Sequence, residues 1–270
     1  MGPWLETLAV GLLALIGVWL GLWFSRLRKP YWLLGYFLPL ILIVCYSLAT
    51  RKPALSFVPP FSWLIMGRNK FVSIALISTM VLTTPLSRIK SVRARVLVAI
   101  LMGLAVIQLS LWPFLAPAFN RKYLASLPTR IDWDGVCRQN NDYDCGPAAA
   151  VTALLKLGFH AEEGQVAIWA STSSAIGTPP DMLARALQEH YGKEGLITEY
   201  RVFKDLNELK EAGLTLVVIQ YNFWVDHYLT VLSVSKDFVL AADPSRGMVL
   251  FPSKDFLARW RFVGVVLKRK

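Results

Sequence analysis

Histidine and cysteine are scarce, with three of each in 270 residues. So few cysteines exclude a disulfide-dense scaffold. No CxxC and no histidine at metal-ligand spacing stands beside them, so a metal centre has little support. No GxxxxGK[ST] loop occurs, which argues against nucleotide-driven work within this polypeptide. No internal repeat or low-complexity linker is present. Acidic residues are almost missing from the first half: residues 1–130 carry 14 Lys/Arg against Glu6 alone, a balance of +13. Residues 131–270 carry 15 Lys/Arg and 17 Asp/Glu, a balance of −2, so the net +11 belongs wholly to the first half. There the basic residues fall in short clusters between apolar runs, as in loops beside a membrane. A nucleic-acid surface would instead need that charge on a folded polar domain.

What is abundant is apolar sequence, 55% of the chain. Four runs approach the roughly 20 residues a bilayer-crossing helix needs. They are Trp4 to Phe24, Tyr31 to Ala49, the weaker Phe71 to Leu86, and Val96 to Phe119. Trp4, Trp19, Trp23, Tyr31, Trp32, Tyr46 and Trp112 lie toward their ends, as interfacial aromatics do. The segment "FVPPFSWLIM" (57–66) is short and proline-broken, which predicts an interfacial loop. A cleaved signal peptide is not expected, because the basic residues follow the first run instead of preceding it.

Charge sets a direction for these spans. The first and third loops carry Arg26, Arg28, Lys29, Arg88, Lys90, Arg93 and Arg95. The opposite side carries Arg51, Lys52, Arg68, Lys70, Arg121 and Lys122, seven against six. The positive-inside rule then places both termini outside the cytoplasm. The expectation is an integral membrane protein with residues 1–124 as a four-helix membrane region and residues 125–270 as an extracytoplasmic domain.

After Leu124 the texture changes. "PAAAVTALLKLG" predicts a helix with Pro147 in its first turn and Gly158 at its end. "GTPPDMLARALQEHYG" predicts a second helix and "KDLNELKEAG" a short third. "LITEYRVF", "LTLVVIQYN", "HYLTVLSVS", "FVLAAD", "GMVLFP" and "FVGVVLKR" predict strands. "SKDFLARW" predicts a small helix with Ser253 as N-cap. Helices followed by a run of strands argue for an α+β domain with an antiparallel sheet.

Several polar residues within this domain admit two readings each. Cys45 lies inside an apolar run and reads as packing. Cys137 and Cys145 stand eight positions apart, and a disulfide between them is open in an extracytoplasmic setting. Cys145 either fills space at the top of a core helix or is a nucleophile at a helix N-terminus, where the backbone dipole favours negative charge. Asp142 and Asp144 oppose that charge unless their side chains cap backbone donors. His160 and His190 read as surface residues. His227 opens a strand otherwise fit for the core, either as a satisfied structural imidazole or as a proton carrier. Asp243, in "AADPSRG", is either a turn former or a carboxylate that orients an imidazole. Gln139 is either a surface amide or a donor for a developing oxyanion.

Taken together, "QNNDYDCG", "DHYLTVL", "AADPSRG" and the terminal "RWRFVGVVL" resemble the bacteriocin-processing cysteine peptidases. Those papain-like domains cut leader peptides after a double glycine and are often fused to ABC exporters. The resemblance covers about residues 130 to 270. It implies a papain-like cysteine peptidase domain in a bacterial inner or plasma membrane protein, needing no cofactor and no metal. Its partners would be a peptide or leader substrate, the lipid bilayer and a separate exporter, with no nucleic acid or nucleotide. By the same resemblance Cys145 is the nucleophile, His227 the general base and then acid, Asp243 the orienting carboxylate and Gln139 the oxyanion donor. Gly146 and Asp226, beside the nucleophile and the histidine, are the expected substrate contacts, Gly146 because it leaves room beside a scissile bond.

The chain also departs from the family's pattern. The peptidase domain usually precedes a transporter's membrane segment, whereas here it follows four spans. In the exporters it faces the cytoplasm, opposite to the side the charge count favours. Two other functions compete with peptide cleavage. One is a tethered module that captures a peptide or leader without cutting it. The other is a transporter or assembly subunit regulated by its soluble domain. The spans lack the mid-depth acidic, Lys or His residues that ion pathways usually carry, so an anchor is the simpler role.

Overall fold

The computed structural model describes residues 3–51, 53–62, 69–222 and 225–270. Lys52, Arg68 and the end of "FVPPFSWLIM" lie outside these, and so do Phe223 and Trp224. The chain divides into two compact units between Ala118 and Phe119.

The first unit is helical. Its elements are α1 (Pro3–Ser25), α2 (Phe37–Arg51), α3 (Asn69–Thr83) and α4 (Val92–Val106), with a π-helical stretch at Ile107–Leu111 leading into α5 (Trp112–Phe119). Among the described residues, four stretches are long and apolar enough to cross a membrane: Thr7–Ser25, Tyr31–Ala49, Phe71–Arg88 and Val92–Phe119. Helices α1 and α3 pack closely because small residues line their seam. A Cβ on Gly17 would strike the Thr79 hydroxyl, and one on Gly21 the Thr83 hydroxyl. Such small-residue contacts let helix backbones approach where no aqueous hydrophobic effect drives association. The threonine hydroxyls are satisfied within their own helix: Thr79 Oγ1 donates to the Ala75 carbonyl at 2.7 Å and Thr83 Oγ1 to that of Thr79 at 2.6 Å. At one end of α1, Ser25 and Ser87 bond each other, and the Arg88 guanidinium donates to the Leu27 carbonyl at 2.6 Å.

The second unit is α+β, as its order of helices and strands predicts. A short α6 (Arg121–Ala125) and a two-stranded ribbon, β1 (Arg130–Ile131) with β2 (Cys137–Arg138), lead into α7 (Cys145–Lys156). Then come α8 (Glu163–Trp169), α9 (Pro180–Tyr191), β3 (Leu196–Val202), α10 (Leu206–Ala212) and β4 (Thr215–Gln220). The chain ends with β5 (Asp226–Val234), β6 (Phe238–Asp243), β7 (Gly247–Pro252), α11 (Ser253–Arg259) and β8 (Trp260–Arg269). The six longer strands form one antiparallel sheet in the order β3-β8-β4-β5-β6-β7. Ser253 is the first residue of α11 and makes no cap bond, because Pro252 occupies the N-cap position and the Ser253 N–H donates to the Asp237 carbonyl at 2.8 Å.

Helix α7 is the centre of this unit. Its first ten residues, Cys145 to Leu154, are all buried, so its alanines are there to let other elements come close. Two threonine hydroxyls tie it to β2 and to β5. Thr152 Oγ1 accepts the Cys137 N–H of β2 at 2.9 Å and donates to the Ala148 carbonyl at 3.1 Å. Thr230 Oγ1, on β5, donates to the Ala149 carbonyl at 2.8 Å. These bonds fix the start of α7 relative to the start of β5. Gly164 serves a similar end in α8, where a Cβ would run into the Leu124 carbonyl of α6.

Candidate active site

Strands β5 and β6 are antiparallel neighbours, so the first residues of one and the last of the other share one end of the sheet. His227 is the second residue of β5 and Asp243 the last of β6. His227 Nε2 lies 2.8 Å from Asp243 Oδ1, with the two residues only 6% and 3% exposed. With Nε2 so engaged, Nδ1 is the nitrogen left for the Cys145 thiol, whose interaction with the imidazole helps to raise the His227 pKa. Cys145 is the first residue of α7 and is 8% exposed. The backbone N–H groups of a helix's first turn have no acceptor inside the helix, so the Cys145 thiol sits beside free donors.

The electrostatics of this trio favour an imidazolium. Burial pulls the His227 pKa down, but the hydrogen bonds to Asp243 and Cys145 and their charges outweigh it and raise it to about 9. Asp243 moves the other way. Burial raises its pKa, and the bonds from His227 and Ser245 more than offset that, leaving it below the ordinary carboxylate value. Both readings of Asp243 hold at once. Its Oδ1 also accepts the Ser245 N–H at 2.8 Å and the Ser245 hydroxyl at 2.7 Å, and its carbonyl accepts the Arg246 N–H at 3.1 Å. The turn that ends β6 therefore immobilises the carboxylate that holds the imidazole.

Gln139 directly follows β2 and is tied by its backbone to the turn after Asp243. Its backbone N–H donates to the Pro244 carbonyl at 3.0 Å, and Arg138 bonds the Ser245 carbonyl. Its side-chain Nε2 gives one hydrogen to the Asn141 carbonyl at 2.8 Å. That acceptor fixes which way the amide points, and the second Nε2 hydrogen remains free to donate.

Two residues expected to contact substrate have other partners in the fold. Asp226 is next to His227 on β5, and successive residues of a strand face opposite sides. It is exposed and takes the Arg261 guanidinium at 2.9 Å and 2.8 Å in a surface ion pair, away from the trio. Gly146 is buried, and a Cβ there would meet Thr178 Cβ at 3.0 Å and Tyr228 Cε2 at 3.3 Å. Internal packing against Thr178 and Tyr228 is thus what the glycine permits. Cys137 and Cys145 are both free thiols. The Cys137 thiol bonds Glu163 Oε2 at 3.6 Å instead.

Residues 134–270 match the sequence model of the Peptidase C39 family. The chain belongs to that family. It is 30% identical over 114 residues to an uncharacterized protein of Methanothermobacter marburgensis, covering 42% of this chain and 74% of that one. A second relative, an uncharacterized protein of Methanothermobacter thermautotrophicus, is 27% identical over 123 residues, 46% of this chain and 80% of the relative. Among solved structures, a double glycine motif protease from an AMS/PCAT transporter, in complex with its leader peptide, is 17% identical with a TM-score of 0.44. It aligns with 54% of this chain and 96% of its own. The peptidase domain of Streptococcus ComA is 18% identical with a TM-score of 0.43, over 49% and 96% of the two chains.

Other residues of this C39 domain at the site escaped the sequence reading. Ser245, which completes the cradle for Asp243, is two residues on from it in "DPS", a pattern that favours an Asx-type turn. The Tyr221 ring lies 5.5 Å from the imidazole, centroid to centroid. His160 and His190 are both exposed as expected, and His190 also stacks on Trp169 at 3.8 Å.

Proposed function

We propose that this chain is a membrane-anchored cysteine endopeptidase that cleaves a peptide or leader segment after small residues such as Gly-Gly. One observation carries the reading: a buried imidazole that bonds a fixed carboxylate through Nε2 and interacts electrostatically with a helix-terminal thiol. Membership of a peptidase family supports a peptide as substrate, and the quoted motifs support a leader. The mechanism is acyl transfer. Proton transfer from Cys145 to His227 Nδ1 gives the thiolate, which attacks the scissile carbonyl. Gln139 Nε2 and the Cys145 backbone N–H receive the oxyanion. His227 returns its proton to the departing amine, and water, deprotonated by His227, releases the acyl group.

Alkylation of the detergent-solubilised protein tests the thiol–imidazole pair without a substrate. Iodoacetamide at neutral pH should label Cys145 rapidly, and His227→Ala should slow that labelling by at least about tenfold. Cys137 should stay unlabelled until the protein unfolds, since it is fully buried and its pKa is pushed up, first by burial and then by Glu163. Equal labelling rates for Cys145 with and without His227 would remove the pair.

The four apolar stretches support an anchor, and the basic loops support an extracytoplasmic peptidase domain. An alkaline phosphatase fused after Lys270 should be active in intact bacterial cells. An inactive but stable fusion would put the domain in the cytoplasm.

A further inference from the structure

Behind the loop that carries Gln139 and Cys145 lie two buried acids that acyl transfer does not use. Asp144 and Glu163 are both 0% exposed. Asp144 holds the N-cap position of α7 but makes no side-chain cap bond. Its carboxylate turns back into the loop, accepting the Asn141 N–H at 3.0 Å on each oxygen and Asn141 Nδ2 at 2.9 Å. The carbonyl of that same Asn141 is the acceptor for Gln139 Nε2. Glu163, the first residue of α8, accepts Asn140 Nδ2 at 3.0 Å and the Cys137 thiol at 3.6 Å, both through Oε2. Its Oε1 is buried and finds no donor among the described residues. Each acid thus holds one of the two asparagines that follow Gln139.

We propose that Asp144 and Glu163 share one proton as a hydrogen-bonded acid pair, and that this pair is a positioning device that aims Gln139 at the oxyanion. The proposal rests on the reading of Cys145 as nucleophile and Gln139 as oxyanion donor. Three hydrogen bonds from two donors, the Asn141 N–H and its Nδ2, converge on the Asp144 carboxylate. Glu163 Oε1 finds no donor among the described residues, so it can bond only by carrying a proton itself, and Asp144 is the acid whose charge acts on Glu163. The groups facing Glu163 agree: Asp144 from the start of α7, Cys137 from β2, and the neutral Asn140 amide from the loop. Tyr143 and Tyr123 are the titratable neighbours on the Asp144 side. No ion pair among the described residues reaches either acid. A shared proton leaves the pair with one buried charge in place of two. Burial and then the Asp144 charge raise the Glu163 pKa to about 8. Above that pH two buried carboxylates would face each other, and the loop would lose its register.

Two measurements on the full chain in detergent test this. In the Cys145→Ala protein, which cannot turn over, infrared spectra should show a protonated-carboxyl C=O band. It should vanish as the pH rises through about 8 and be missing once Glu163→Gln is added. With Cys145 intact and a fluorogenic Gly-Gly amide as probe, Glu163→Ala should lower kcat by about 100-fold with KM nearly unchanged. Glu163→Gln keeps an acceptor for Asn140 and a donor for Asp144, so it should restore kcat to the parent's order of magnitude. It should also erase the first of two alkaline losses of kcat and leave the later one, from His227. Absence of the band overturns the pair, and so does a Glu163→Gln protein as impaired as Glu163→Ala. If Glu163→Ala does not fold, an unchanged alkaline profile in Glu163→Gln overturns the proposal on its own. A band with no cleavage by any variant would overturn the aiming of Gln139 and the peptidase reading while leaving the shared proton. Cleavage with no band would do the reverse.

Discussion

Cys145→Ala should abolish cleavage of a Gly-Gly-containing peptide, lowering kcat by on the order of 10⁵- to 10⁶-fold, and leave the fold in place. Alanine cannot form the acyl-enzyme, and water delivered by His227 would have to attack unaided. The fold should tolerate the change because Cys145 begins α7 beside a run of alanines, and alanine has the highest helix propensity. What is lost is one thiol's packing and its bond to His227, worth about 1 kcal/mol. Near-unchanged thermal unfolding beside absent turnover is therefore the expected pair of results. Turnover retained in Cys145→Ala would remove the nucleophile assignment. Tight binding of the peptide with no turnover in the parent protein would favour the tethered binding module. In that event the His227–Asp243 bond would be a structural element of the β5–β6 end of the sheet.

The elements of the trio were legible because each sits at an abrupt change of texture. Cys145 stands where a polar run meets an alanine-rich helix, His227 where a polar side chain opens a core strand, and Asp243 where a strand gives way to Pro-Ser-Arg-Gly. The apolar runs and the strands were legible from length and alternation alone. Strand order was not. β8, last in sequence, lies between β3 and β4, and no local pattern records which distant strand pairs with which. Helix α8 escaped because it has only seven residues and carries Gly164 in its first turn, where the need for close approach to α6 outweighs propensity. The Arg261 ion pair of Asp226 was not legible because no local pattern brings the start of β8 near β5, and the packing of Gly146 was not legible because room for a substrate and room for Thr178 read alike in a sequence. Asp144 and Glu163 were the least legible. Charged residues in a polar run suggest a solvated loop, and their burial follows from a hydrogen-bonded loop folding back over α8.

Asp243 offers the second large effect and the sharper test of mechanism, because its two replacements separate orientation from charge. Asp243→Ala removes the acceptor of three bonds at once: His227 Nε2, the Ser245 N–H and the Ser245 hydroxyl. The imidazole is then free to turn, and kcat should fall by about 10³- to 10⁴-fold. The orphaned Ser245 donors should also cost about 1–3 kcal/mol of stability. Asp243→Asn differs, since all three donors aim at one oxygen and an amide oxygen can accept them. Geometry is kept and charge is lost. His227 has its pKa raised from 6.5 to about 9 against the opposing effect of burial, with Asp243 a main support. Without that charge the folded-state pKa must fall. The imidazolium that protonates the leaving amine is then lost earlier, so the alkaline limb of kcat should move to lower pH. Stability should follow the same sign. A raised histidine contributes fully below the unfolded value of 6.5 and loses its contribution as pH climbs to about 9. The parent protein should therefore melt at progressively lower temperature across that window, and Asp243→Asn should flatten the decline. An alkaline limb unmoved in Asp243→Asn would mean that orientation alone, and not charge, is what Asp243 supplies.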